Sequence, residues 1–203
     1  DIDCVLDVGA NIGQYANNLR RIGYKKKIIS FEPLSSAYEV IKKKSIKDKY
    51  WTVHNFGIGE QEKKVDINIS KNSYSSSILD ILPLHTESEP QSEYFSKETI
   101  SIKKLENLNE IDIEKFNKVF IKIDTQGYEE QVLQGIGKLI NKIEGIQIEL
   151  SLYPLYKNQT LFLELYKKIK ELGFDLWDFQ RGFGDVNSGK IYQLDGIFFN
   201  NKK

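Results

Sequence analysis

The apolar positions fall into short blocks that alternate with longer helical patterns. Cys4-Val5-Leu6-Asp7-Val8 predicts a buried strand. Asn11 to Ile22 repeats at helical spacing, with Tyr15, Leu19 and Ile22 on one face and Gly23 as a stop signal. Lys27 to Phe31 predicts a second strand. Ser36-Ala37-Tyr38-Glu39 has capping-box spacing and predicts the start of a helix that fades into Lys42-Lys43-Lys44. Trp51 to Phe56 predicts a third strand. This order implies a parallel sheet with helices on both faces.

The middle of the chain changes character. Val65 to Ile69 and Thr99 to Ile102 alternate with period two, as half-buried strands do. The stretch of about 30 residues between them is rich in Ser, Glu and Pro, and a loop of that length is usually functional or disordered. Alternation then resumes, with a strand over Lys118 to Ile123 and a helix over Tyr128 to Ile140. A strand over Gly145 to Leu152 and a helix over Thr160 to Leu172 follow. Phe174 to Phe179 and Ile191 to Asn200 predict two strands joined by a turn, hence an antiparallel hairpin. No repeat of 20–50 residues is present, which argues against a solenoid.

Composition narrows the partners. The 203 residues carry 29 Lys+Arg against 29 Asp+Glu. A nucleic-acid binder usually shows a basic excess, so no nucleic-acid partner is expected. No run approaches the ~18 apolar residues of a membrane span. The single cysteine, Cys4, fits a reducing, cytoplasmic setting. The chain lacks methionine and starts two residues before its first apolar run, so residues are expected upstream of Asp1. Oligomeric state is not legible.

The strongest chemical signal is Asp7-Val8-Gly9-Ala10-Asn11-Ile12-Gly13, at the carboxyl end of the first strand, where open α/β sheets bind ligands. Glycines there allow a tight turn and a close ligand approach. Glu32 ends the second strand and suits ribose hydroxyls. Together these describe an adenosine-type site; the bland alternative is a Gly/Asn turn with no ligand. A dinucleotide fingerprint would supply a third phosphate glycine. Asp7 suits a ligand ammonium better than a pyrophosphate, which favours S-adenosylmethionine (SAM) over a nicotinamide cofactor.

Asp124 and Glu149 end the fourth and fifth predicted strands. Asp124 is a candidate general base, or else a cap of the following helix; Glu149 is a second candidate, or else part of a buried polar network. His85, in the long loop, is either a base reaching over the site or a solvated side chain. Asp124, Glu149 and Asp195 could converge on a metal, but their spacing is not diagnostic and none is assigned. Ser75-Ser76-Ser77 could bond a ligand or form a flexible loop. Trp51, Trp177 and Phe183 could stack on a ligand ring; the strand patterns around Trp51 and Trp177 favour core packing, which leaves Phe183 the best of the three.

The whole chain resembles the FkbM-type SAM-dependent methyltransferases. The resemblance rests on the Asp7–Gly13 loop, Phe31-Glu32-Pro33, Ser75-Ser76-Ser77, Lys122-Ile123-Asp124-Thr125-Gln126-Gly127-Tyr128-Glu129 and Gln193-Leu194-Asp195-Gly196-Ile197-Phe198. Gln126 departs from the family, which usually has Glu there. The resemblance implies one class I methyltransferase domain over 1–203, a Rossmann-like α/β fold. Its seven-stranded, mostly parallel sheet would have helices on both faces and a terminal antiparallel strand. A strand pair and long loop would be inserted at about 60–105. It implies O-methylation of a sugar, glycan or other small-molecule hydroxyl. The expected cofactor surface comprises Asp7, Gly9, Ala10, Asn11, Gly13 and Tyr15 from the first unit. Glu32, Pro33, Gly57 and Ile58 come from the next two, with Ser76 and Asp124 completing it. Two alternatives stand beside this: a nicotinamide oxidoreductase, and a SAM-fold binding protein that has lost catalysis through Gln126.

Overall fold

The computed structural model describes residues 2–109 and 111–201. Seven strands form the main sheet: β1 (Cys4–Val8), β2 (Lys27–Phe31), β3 (Trp51–His54), β7 (Val119–Ile123), β8 (Ile143–Ser151), β9 (Phe174–Arg181) and β10 (Gln193–Asn200). Their order is β3-β2-β1-β7-β8-β10-β9. The first five are mutually parallel where they pair, and β10 runs antiparallel to both β8 and β9. The connection from β3 to β7 is a second sheet rather than a helix. In it β6 (Tyr94–Lys103) lies between β4 (Gly57–Ile58) and β5 (Lys63–Ser70).

Helices α1 (Gln14–Arg21) and α2 (Ser35–Ser45) cover one face of the main sheet, packing Ala16 and Ile41 against Val5, Ile28 and Trp51. The larger core lies on the other face, where α4 (Glu129–Ile136) and α5 (Phe162–Glu171) bring Val132, Ile136, Leu165 and Ile169 against Leu6, Ile121, Ile146 and Phe198. Leu34 and Ala37, at the start of α2, pack against Ile67, Ile100 and Ile102 of the small sheet.

Three expectations change. Helix α1 starts three residues later than its apolar spacing predicts, because Asn11 (φ 46°) and Gly13 (φ 86°) adopt left-handed backbone. The Ser36–Glu39 capping box does not form. Helix α2 begins at Ser35, whose N–H donates to Glu98 of β6 at 3.1 Å. The long polar stretch is ordered: it contains α3 (Pro83–Ser88), buries His85 and Ser92, and pairs Ser77 with Asn68. Leu82 N–H donates to Leu155 O (2.9 Å) and Lys157 N–H to Asp80 O (2.8 Å).

A row of polar side chains crosses the α1 face of the sheet. Ser30, Asp7, Lys122 and Gln147 are direct neighbours in register on β2, β1, β7 and β8. Trp51 Nε1 donates to Ser30 Oγ (3.0 Å), which donates to Asp7 Oδ2 (3.2 Å). Lys122 Nζ lies 3.7 Å from Asp7 Oδ1. Gln147 accepts from Tyr15 Oη (3.1 Å) and donates to Asp195 of β10 (3.4 Å). Neighbouring strands thus supply most of the partners that burial demands, while Asp7 Oδ1 has the Lys122 charge beside it but no hydrogen bond.

Candidate active site

A cavity of about 430 Å³ opens at the carboxyl ends of β1, β2 and β7. That volume is typical of small-molecule sites, which run roughly 300–1,000 Å³. Its floor is the turn after β1. Gly9 has φ 77°, and a Cβ there would lie 1.8 Å from the carbonyl oxygen of Asp124. Glycine is therefore needed so that the β1 and β7 ends can touch. Gly13 serves packing instead: a Cβ would meet the Trp51 ring at 2.8 Å, and Gly13 does not line the cavity.

One side of the cavity is apolar. Leu34, Ile58, Ile67, Ile78, Ile100 and Ile102 form a slot beside Glu32, with Ala10, Pro33 and Gly57 along it. Glu32 Oε2 accepts from Asn11 N–H (2.7 Å) and Oε1 from Leu34 N–H (2.8 Å). Burial pushes its carboxyl up to about 7, against the pull of those two N–H groups. A slot beside a carboxylate with free lone pairs matches a purine and its ribose.

The other side is polar. Asp124 Oδ1 accepts from Gln126 Nε2 (2.8 Å), and Oδ2 lies 3.2 Å from Lys122 Nζ. Lys122 also donates to Gly9 O at 3.3 Å and sits 5.7 Å from the centre of the Tyr15 ring. Burial lowers the affinity of the Lys122 amine for its proton, but Asp124 and Asp7 outweigh this and hold it above the ordinary lysine range. Gln147 and Asp195 complete this wall. Sequence reasoning passed over Lys122 and Gln147; the signal available was a lysine inside the otherwise apolar run Val119–Ile123.

The remaining candidates separate. Asp7 is 0% exposed and faces Ser30 and Lys122, so it reaches the cavity through Lys122 rather than directly. Asp124 does not cap α4. The preceding turn is held by Glu129, which accepts from Thr125 N–H (2.9 Å) and Gly127 N–H (3.1 Å). Glu149 is in the buried network, accepting from Gln126 Nε2 (3.2 Å) and Gln193 Nε2 (2.7 Å), and burial raises its carboxyl well above the usual range.

His85 is neither solvated nor over the cavity. It is 3% exposed between Tyr156 and Phe183, and burial lowers its imidazole to about 4. The serines pin the long loop: Ser76 Oγ accepts from Ser70 N–H (3.1 Å), and Ser77 Oγ donates to Gln126 O (2.6 Å). Of these, Ser76 lines the cavity. Phe183 packs on His85 and Tyr192, Trp51 is buried, and exposed Trp177 lies away on β9, so none of the three stacking candidates reaches the cavity. Among the described residues no group of three or more His, Cys, Asp or Glu side chains has metal-holding geometry.

Solved structures resemble this fold at low identity. A Listeria monocytogenes protein assigned as an S-adenosylmethionine-dependent methyltransferase has TM-score 0.58 and 8% identity, over 100% of this chain and 92% of that one. Magnesium protoporphyrin IX methyltransferase from Synechocystis PCC 6803, solved with SAM, gives 0.55 and 11%, over 97% and 69%. An rRNA methylase from Streptococcus thermophilus gives 0.52 and 11%, over 98% and 88%. These likenesses establish the class I methyltransferase fold. No curated protein sequence matches the chain. The family model for the methyltransferase FkbM domain matches residues 7–176, which sets the oxidoreductase alternative aside. The chain belongs to the FkbM methyltransferase family.

Proposed function

We propose that this methyltransferase uses SAM to methylate a hydroxyl of a neutral sugar, glycan or glycosylated small molecule, in the cytoplasm. The observation that carries the acceptor class is the polar wall. Asp124 and Asp195, each held by a neighbouring glutamine amide, offer carboxylate lone pairs, the acceptors that pair with hydroxyls. Lys122, the one cation among the described residues lining the cavity, is already engaged by Asp7 and Asp124. A phosphodiester would find no free counter-charge there.

Glu32 would hold the ribose hydroxyls and the isoleucine slot the adenine. When bound, the cofactor supplies a methyl group on a cationic sulfur. Asp124 orients the acceptor hydroxyl and takes its proton, a contribution of typically 10²–10⁴-fold for a positioned base. Lys122 and Gln126 fix the Asp124 carboxylate from two sides, so no reorganisation is needed at the moment of reaction. Gln126 is itself fixed, since its Oε1 accepts from Tyr156 Oη at 2.7 Å. This integration favours a working site over a lost one. The test is a mass-spectrometric screen of glycans and glycosides for methyl gain with SAM. Products formed by the wild type and lost in Asp124→Asn support the reading; methylation of RNA alone contradicts it.

A further inference from the structure

The long loop places one large aromatic at the cavity mouth and leaves it bare. Tyr74 lines the cavity, yet it is 60% exposed, and among the described residues no aromatic or cationic group stacks on its ring. Its backbone is held firmly. Asn72 Oδ1 accepts from Ser75 N–H (3.1 Å) and Ser70 Oγ (2.9 Å), and Asn72 N–H donates to Gln91 O (2.9 Å). Ser73 sits at φ 59°, a left-handed conformation that a serine adopts at a cost. Asn11 Nδ2 reaches across from the cofactor turn to Ser73 O (3.3 Å), tying the loop tip to the cavity floor. A rigid turn thus presents an exposed ring on a cavity that Asn11 and Gln14 also line.

We propose that Tyr74 is the acceptor platform. A pyranose ring stacks its C–H face on the phenol, with one hydroxyl directed into the cavity toward Asp124. Aromatic faces attract such positively polarised edges, and Tyr contributes this area with little entropy to lose. A nucleobase would also stack, but its phosphates would meet Asp124, Asp195 and Glu32 with Lys122 already engaged. The proposal rests on the sugar-hydroxyl reading above and adds the residue that selects the ring.

The experiment uses the intact chain, SAM and a panel of neutral methyl glycopyranosides, with an oligoribonucleotide as competitor class. For any pyranoside that the wild type methylates, Tyr74→Ala is expected to raise its KM by about tenfold, the scale of an aromatic stacking contact. The Kd for SAM, measured by calorimetry, should stay unchanged. Tyr74→Trp should restore the KM. An unchanged KM in Tyr74→Ala, with the wild type active, overturns the platform but not the reading. Weakened SAM binding with an unchanged KM makes Tyr74 a cofactor clamp and also overturns it. A wild type that methylates the oligoribonucleotide and no pyranoside overturns the reading itself, and the platform with it.

Discussion

Glu32 shows how one residue's burial sets opposite pH trends. Its carboxyl is raised to about 7 by burial, above the ordinary 4.5 of an unfolded chain. The folded state therefore holds a proton that the unfolded state has released between those values, and stability falls as pH climbs through that window. SAM binding runs the other way, because ribose hydroxyls donate best to the ionised form. Affinity should rise from pH 5.5 to 8 with a proton released, seen as buffer-dependent heats in calorimetry, and Glu32→Gln should flatten the trend. Glu32→Ala should weaken SAM by about 1–3 kcal/mol, the range for leaving hydrogen bonds to a charged group unmade. Asp124→Asn makes the second residue-scale test. It keeps the shape, and turnover should fall by about 10²–10⁴ with near-wild-type SAM affinity. A matching drop in affinity would assign Asp124 to the cofactor instead.

At the scale of elements, the long loop is a packed structure whose tip, around Tyr74, borders the cavity. Amides of Ser77, Leu82 and Lys157 are bonded to β5, Leu155 and Asp80, so they should be protected from hydrogen exchange before any ligand arrives. Ligand-induced protection should be confined to about 72–76, around Asn72 and Tyr74. Uniform slowing across 72–96 would instead show the whole loop closing over the cavity. Gly9→Ala should cost several kcal/mol in urea unfolding, since its Cβ would meet Asp124 O at 1.8 Å at φ 77°. The main strands were legible because each buried β strand is a compact apolar block bounded by Gly or polar residues. That Gly9, Glu32 and Asp124 meet around one cavity was legible because all three sit at strand ends. His85 was not, because burial in a Ser- and Glu-rich stretch leaves no periodic trace. Asp7 was misplaced because alternation says which face a side chain takes, not how deep it lies. The cap of α2 was missed because Glu98 is 63 residues from Ser35.

For the whole molecule, the cavity joins both sheets, so ligand and fold should be linked. SAM at about 100 times its Kd should raise unfolding free energy by about 2.7 kcal/mol in one transition. Two transitions, with SAM moving only one, would mean the small sheet folds separately. Lys122→Met should cost about 3–5 kcal/mol, because Asp7 would remain buried without its cation. The polar row through Ser30, Asp7, Lys122 and Gln147 carries a further consequence. Parallel strands joined by long crossovers find each other slowly, and apolar blocks such as Val5-Leu6 and Phe120-Ile121 pair almost as well one residue out of step. A shift of β7 by one position would turn Lys122 into the apolar layer beneath α4 and leave Asp7 facing isoleucine. The same charges that hold the Asp124 carboxylate therefore act as a registration key, rejecting misaligned sheets while the protein folds.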